Sequence, residues 1–236
     1  MLAVFINCGF ILAGSVIGLL LRGKLPTRFM DVVMQAMGLV VLSIGMVSAI
    51  STDNTLCVVV SLAIGTVIGE AIDIEKRLDA CGDLLKRKLM KEDSGSTFTE
   101  GFVTASLLFC VGAMAIVGSI DAGIHHDYSV LVSKSVIDGV TSISFAATLG
   151  IGVAFSALPI LIYQGGIVLL AGLVAGALTD PMITEMSAAG GCIIIGLGVN
   201  MLKLRKSPVK VGNMLPAIFI PLLYLPIAQW LGGLFG

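Results

Sequence analysis

A short run of the sequence holds side chains that an otherwise apolar stretch has no packing reason to carry: Lys134, Asp138, Thr141, Ser142, Thr148 and Ser156. If the segment is one continuous helix, Lys134, Asp138, Thr141, Thr148, Gly152 and Ser156 share a face, with Phe145 interrupting it and Ser142 flanking it. A polar stripe of that length in lipid has to face protein or water. Lys134 stands four residues before Asp138, the spacing of a helical ion pair. Ionisable groups at membrane depth mark ion or substrate paths, although a Lys/Asp pair one to two turns below a surface can equally serve to neutralise itself. Further on, Gly150-Ile151-Gly152 and Pro159 are residues that unwind helices, and freed carbonyls beside hydroxyls and the Gln164 amide would form an oxygen-rich, low-charge site of the kind that suits Na⁺. The candidate ion- or substrate-binding set is therefore Asp138, Thr141, Ser142, Thr148, Ser156 and Gln164. The competing reading of the hydroxyls is that they stitch helices together. The same interhelical role is the better account of the scattered amides Asn7, Gln35, Asn200 and Gln229.

Other chemistry is poorly represented. His125-His126-Asp127 with Asp121 lacks the spacing of a tetrahedral metal site and reads as a solvated loop. The five cysteines stand singly, without CxxC or Cys/His ligand spacing, and read as packing residues. The chain contains no P-loop, HExxH or GxSxG, and paired carboxylates are wanting at membrane depth. The expectation is a protein that is not an enzyme, with no cofactor, no resident metal and no nucleic-acid partner.

The elements that must position these residues are read from hydropathy. The 236 residues are 57% hydrophobic and 12% charged, half the charge of a soluble domain at roughly 25%, so the lipid bilayer is the first partner. Apolar runs long enough to cross a core of ~30 Å lie near 3–21, 31–50, 55–72, 101–120, 131–157, 159–178, 186–202 and 211–232. Pro159 is the expected divider of the long run 131–178, whether the fifth span is continuous or broken. Between 70 and 91 the third span runs on as a basic amphipathic helix, and Thr97-Phe98-Thr99-Glu100 has the form of a capping box. All basic residues except Lys134 fall in three stretches: 22–28, 76–91 and 203–210. Lysine and arginine accumulate in cytoplasmic loops, so all three stretches lie inside only if 131–178 crosses an even number of times. That parity gives eight spans with both termini outside.

An internal repeat organises the chain. Gly38 to Met46 aligns with Gly191 to Val199, and Gly14-x-x-x-Gly18 with Gly172-x-x-x-Gly176, each pair preceding a proline-bearing turn. An odd number of spans separates the copies, so the repeat is inverted. The fold expected is an all-α integral membrane protein of about eight transmembrane helices, with spans 1–3 and 6–8 as the two copies. Its parts are a repeat unit at 1–72, a cytoplasmic helix and loop at 73–98, two central spans at 99–158 and a second repeat unit at 159–236. Inverted repeats accompany alternating access, which favours a transporter or ion channel for a small cation or small solute. The alternatives are a bundle enlarged by duplication and packed through GxxxG, and a scaffold or signalling protein acting through helix 70–91. The glycine-rich faces also suit a homo-oligomer.

Four strings, FCVGAMAIVGSIDAG (109–123), KSVIDGVTSISFAATLGIGVAFSALP (134–159), YQGG (163–166) and EMSAAGG…GLGVNMLKL…VGNMLPA (185–217), resemble the bacterial YqgA-like membrane proteins, domain-of-unknown-function family 554, over nearly the whole chain. The resemblance implies a protein of the bacterial inner membrane and, as its expected activity, a sodium channel or pump. It supplies no established site residue, so the candidate set rests on the residues themselves.

Overall fold

A computed structural model describes residues 1–22, 24, 26–89 and 97–235, which are mostly helical with no strand among them. The helices are α1 (Leu2–Arg22), α2 (Thr27–Ile50), α3 (Thr55–Ile72), α4 (Ile74–Leu89), α5 (Phe98–Cys110), α6 (Ala113–Ile124), α7 (Ser129–Leu149), the single turn α8 (Gly152–Phe155), α9 (Ala157–Leu169), α10 (Ala171–Ala177) and α11 (Asp180–Met201). A 3-10 segment (Val211–Phe219) and α12 (Pro221–Phe235) close the chain. Among the described residues seven segments are long and apolar enough to cross a membrane. The pair α5–α6, bent by 62°, makes an eighth if it counts as one broken span.

The breaks differ from the expected ones. The run 101–120 is not one helix: the chain turns at Val111–Gly112, where Gly112 adopts φ +129, a conformation that glycine reaches without a Cβ penalty. The run 131–157 divides at Gly150 (φ +88), nine residues before the expected divider Pro159, which sits harmlessly in the first turn of α9. The third span does not run on unbroken to 91. Asp73 takes the left-handed conformation and α4 starts afresh at Ile74. Thr97 occupies the N-cap of α5 but makes no capping bond; its hydroxyl accepts instead from Arg22 at 3.4 Å. Lys91 lies outside the described residues.

Close backbone approaches hold the bundle together. A Cβ on Gly14 would overlap the Gly139 carbonyl, and one on Gly18 the Ile143 carbonyl. The equal offsets mean that α1 and α7 run in the same direction. Gly65 and Gly69 likewise lie against Ala217 and Asn213, an antiparallel register between α3 and the 3-10 segment. On α2 the residues Gly38, Leu42, Gly45 and Ala49 meet Leu202, Gly198, Ile195 and Gly191 respectively. Each of the four partners, three on α11 and Leu202 at its C-cap, stands 153 positions after a member of the α2 set (191 − 38), so the two faces pair reciprocally. Gly172 and Gly176, by contrast, meet nothing.

Polar ties fix the two ends. At one end Lys210 bonds Glu70 (2.6 Å), Asn213 donates to Glu70 (2.6 Å) and accepts from the Glu75 amide (2.6 Å), and Thr99 bonds Asp83 (2.6 Å). Asn200 clasps both backbone groups of Val209, at 2.7 and 2.8 Å. These contacts gather Arg22, α4 and the 203–210 loop at one basic end. At the other end buried Glu185 accepts from the Thr52 hydroxyl (2.6 Å) and from the amides of Asp53 (2.9 Å) and Asn54 (3.0 Å), tying α11 to the α2–α3 turn.

Candidate functional site: a buried ion pair and two cavities

On α7 the i,i+4 spacing brings Lys134 onto Asp138, and both side chains are more than nine-tenths buried. The face that Asn7 shares with Ile11, Gly14 and Gly18 on α1 is the one pressed against α7, so its amide is delivered to the same spot. Asn7 Nδ2 donates to Asp138 Oδ2 (3.2 Å) and to Gln164 Oε1 (3.1 Å), joining α1, α7 and α9 through one amide. The Phe109 ring lies 5.9 Å from Lys134 Nζ, within cation–π range. Because α7 begins at Ser129, Asp138 lies nine residues in, ~13–14 Å along the axis. That is the middle of a core of ~30 Å rather than the one to two turns of depth expected.

Of the candidate residues, Asp138 and Gln164 are thus brought together. Ser142 is fully buried at the α1–α7 contact, and Thr141 lines a cavity beside Asp138 while its hydroxyl bonds Ile137 O at 2.8 Å. Thr148 and Ser156 are not brought to the cluster. Thr148 bonds carbonyls of its own helix, and Ser156 bonds Val153 O at 2.7 Å beyond the Gly150 break. The polar stripe therefore ends with α7, because Gly150 turns the chain before the face can continue. Asn7 Oδ1, Gln164 Nε2 and the Ser142 hydroxyl are buried without a partner among the described residues. Buried polar atoms are seldom left so, and such orphans point to an ordered water or an ion.

Two cavities, each with a mainly apolar wall into which a few charged and polar side chains reach, lie along the seam between α5 and α11. The first, of about 230 Å³, is walled by Lys134, Asp138 and Thr141 of α7, Ser48 of α2, Ser187 of α11 and the α5–α6 break at Gly112. The second, of about 280 Å³ and toward the basic end, is lined by Glu75, Asp79, Glu100, Thr104 and Asn200. On α5 the linings stop at Thr104 and resume at Leu108, and on α11 they pass from Ile194 to Leu197, so about one helical turn, ~6 Å, of packed side chains separates them. In the second cavity burial pushes the Glu75 carboxyl above its ordinary range despite the Gly212 amide bonded to it. Burial and then Asp83 push Asp79 the same way. A largely apolar cavity of about 240 Å³, reached by Tyr163 and Phe219, lies behind the break and shares Val111, Gly112 and Ser187 with the first.

Sequence pattern alone could not assemble this site. Asn7, Ser48, Ser187 and the α4 carboxylates come from other helices than Asp138, and a lone amide or hydroxyl in an apolar run carries no periodic signal. The one local signal, Lys134 at i−4 from Asp138, was legible.

The apolar helices, the breaks inside them and the midplane polar cluster define the class: a multi-pass α-helical membrane protein. The chain belongs to the family Protein of unknown function (DUF554), whose model matches residues 2–225. It is 35% identical over 226 residues to the Uncharacterized membrane protein YdfK of Bacillus subtilis (strain 168), covering 94% of each chain. It is 33% identical over 230 residues to the Uncharacterized protein YqgA of Escherichia coli (strain K12), covering 96% of each. No solved structure matches it.

Proposed function

We propose that the chain is a transporter or ion channel of the bacterial inner membrane, moving a small cation such as Na⁺ or a small solute along the α5–α11 seam. The observation that carries this reading is the pair of cavities, one reached by the Lys134–Asp138 pair and the other by three carboxylates, with one helical turn between them. A barrier that thin is within reach of a small rocking of helices. The Gly112 break supplies a hinge in the wall of the first cavity.

The reciprocal α2–α11 ladder supports the inverted repeat, because a contact in which each face is the other's image 153 residues on is what a two-fold axis in the membrane plane produces. Alternating access follows from exchanging the conformations of the two units. With the three basic stretches placed in the cytoplasm, both termini lie outside, the first cavity serves the outer half and the acidic one the inner half. The scaffold reading through helix 70–91 is less favoured. Gly82 of α4 packs against Thr99 and Phe102 of α5, and Leu78 lines a cavity, so the less polar face of α4 is already turned into its own bundle.

Reconstituted into liposomes, the protein is expected to give a flux of Na⁺ or of a small solute that Asp138→Asn and Gln164→Ala abolish. A flux that both variants leave intact would remove this site from the mechanism.

A further inference from the structure

Building on the transport reading, we infer that the first cavity binds a small zwitterion, its carboxylate toward Lys134 and the start of α6 and its ammonium toward Asp138. Charge balance carries the choice. Lys134 and Asp138 neutralise each other and are both more than nine-tenths buried, so any ligand with net charge adds an uncompensated charge at the bilayer centre.

A bare monovalent cation could use Asp138 Oδ1, the oxygen that Lys134 and Asn7 leave free, but would add a second positive charge beside the Lys134 ammonium with no anion to balance it. It would also approach the N-terminus of α6, the positive end of that helix, since Gly112 to Ala115 line the cavity. A simple anion meets the opposite difficulty: it would suit Lys134 but compete with Asp138, and the other end of the seam is lined by Glu75, Asp79 and Glu100. A zwitterion meets both charges at once and changes the net charge of the site by nothing.

Two further features fit a ligand there. No side chain caps the start of α6, where Gly112 to Ala115 line the cavity; the Ala115 amide bonds Gly112 O at 3.1 Å, and the amides of Ala113 and Met114 remain as first-turn donors for a carboxylate. Ser187, only 7% exposed, lines the same space and makes no hydrogen bond among the described residues. The volume, about 230 Å³, falls below the ~300–1,000 Å³ of pockets that take drug-sized ligands, which limits the solute to roughly the size of a small amino acid.

Thermal melting of the purified full chain in detergent tests the inference, with glycine, alanine, serine and proline as zwitterions, acetate and propionate as carboxylates, ethylamine as an amine and NaCl as the cation. At least one zwitterion should raise Tm while the carboxylates, the amine and Na⁺ do not. Lys134→Met and Asp138→Asn should abolish the shift. Should those variants fold poorly, Ser48→Phe, which fills the cavity from α2 without touching the ion pair, should abolish it as well. A Tm shift produced by Na⁺ or acetate alone, by none of the zwitterions, or by a zwitterion equally in Ser48→Phe would overturn the assignment. Flux that depends on Asp138 together with no zwitterion effect would leave the transport reading and remove only the substrate class. Zwitterion binding without any flux would do the reverse.

Discussion

Asp138→Ala is expected to cost the fold on the order of 3–5 kcal/mol, the usual consequence of removing one partner of a buried ion pair. The reason is what remains. Lys134 is left at the middle of the bilayer with only the Phe109 ring, 5.9 Å away, to face its charge, and Asn7 loses one of its two acceptors. The double variant Lys134→Met/Asp138→Leu removes both charges while keeping much of the volume, so it should recover most of that loss, since apolar replacements of buried pairs are often neutral. Transport should be lost in both. Melting temperatures of the purified single and double variants separate the terms. A single variant that melts with the parent, or a double variant no more stable than the single, would mean that the pair is not buried as described.

Gly14→Val should be nearly as damaging, by about 3 kcal/mol, at the upper end of over-packing costs. Its Cβ would run into the Gly139 backbone carbonyl, and backbone cannot swing aside as a side-chain tip can. Relief requires α1 and α7 to separate, which also pulls Asn7 away from Asp138, so stability and the polar cluster should fail together. Gly172 holds the matching place in the other GxxxG sequence but meets no neighbour. Gly172→Ala should therefore be neutral, or stabilising by up to ~1 kcal/mol through helix propensity alone. A ranking by Tm checks the pair, and equal losses at the two glycines would contradict the packing.

That contrast shows how far the sequence reaches. Hydropathy and the three basic stretches locate the first three long helices to within about four residues, because burial in lipid and loop charge are local properties. By contrast, α11 starts six residues before the expected 186 and α7 ends eight before the expected 157. Gly65-x-x-x-Gly69 and Gly14-x-x-x-Gly18 prove to be close contacts, whereas Gly172-x-x-x-Gly176, the same pattern, is open. The motif permits an approach, but a neighbouring helix has to supply it. The helix break at Gly112 is not legible, and Gly150 reads as a residue that unwinds a helix without being preferred over Pro159 as the divider, since glycine is common throughout the chain and only tertiary packing decides which one takes a positive φ. Misplacing the second break extended the polar stripe to Ser156 and so included Thr148 and Ser156 in the candidate set. Asp138 stands out because an ionisable group inside an apolar run is rare, and Gln164 because it follows the Gly150–Pro159 stretch where freed carbonyls are expected. Their meeting through Asn7 depends on the crossing of three helices, which no spacing along one of them encodes.

The central claim, that the α5–α11 seam opens alternately to the two sides, is tested most directly by sided thiol labelling. Ser48→Cys reports on the cavity at Asp138 and Thr104→Cys on the acidic one, each in a chain whose five native cysteines have been replaced. With a membrane-impermeant maleimide, Thr104→Cys should react only from the side of the basic loops and Ser48→Cys only from the other. Any condition that speeds one reaction should slow the other. Reaction of both positions from the same side, or rates that rise and fall together, would contradict the account.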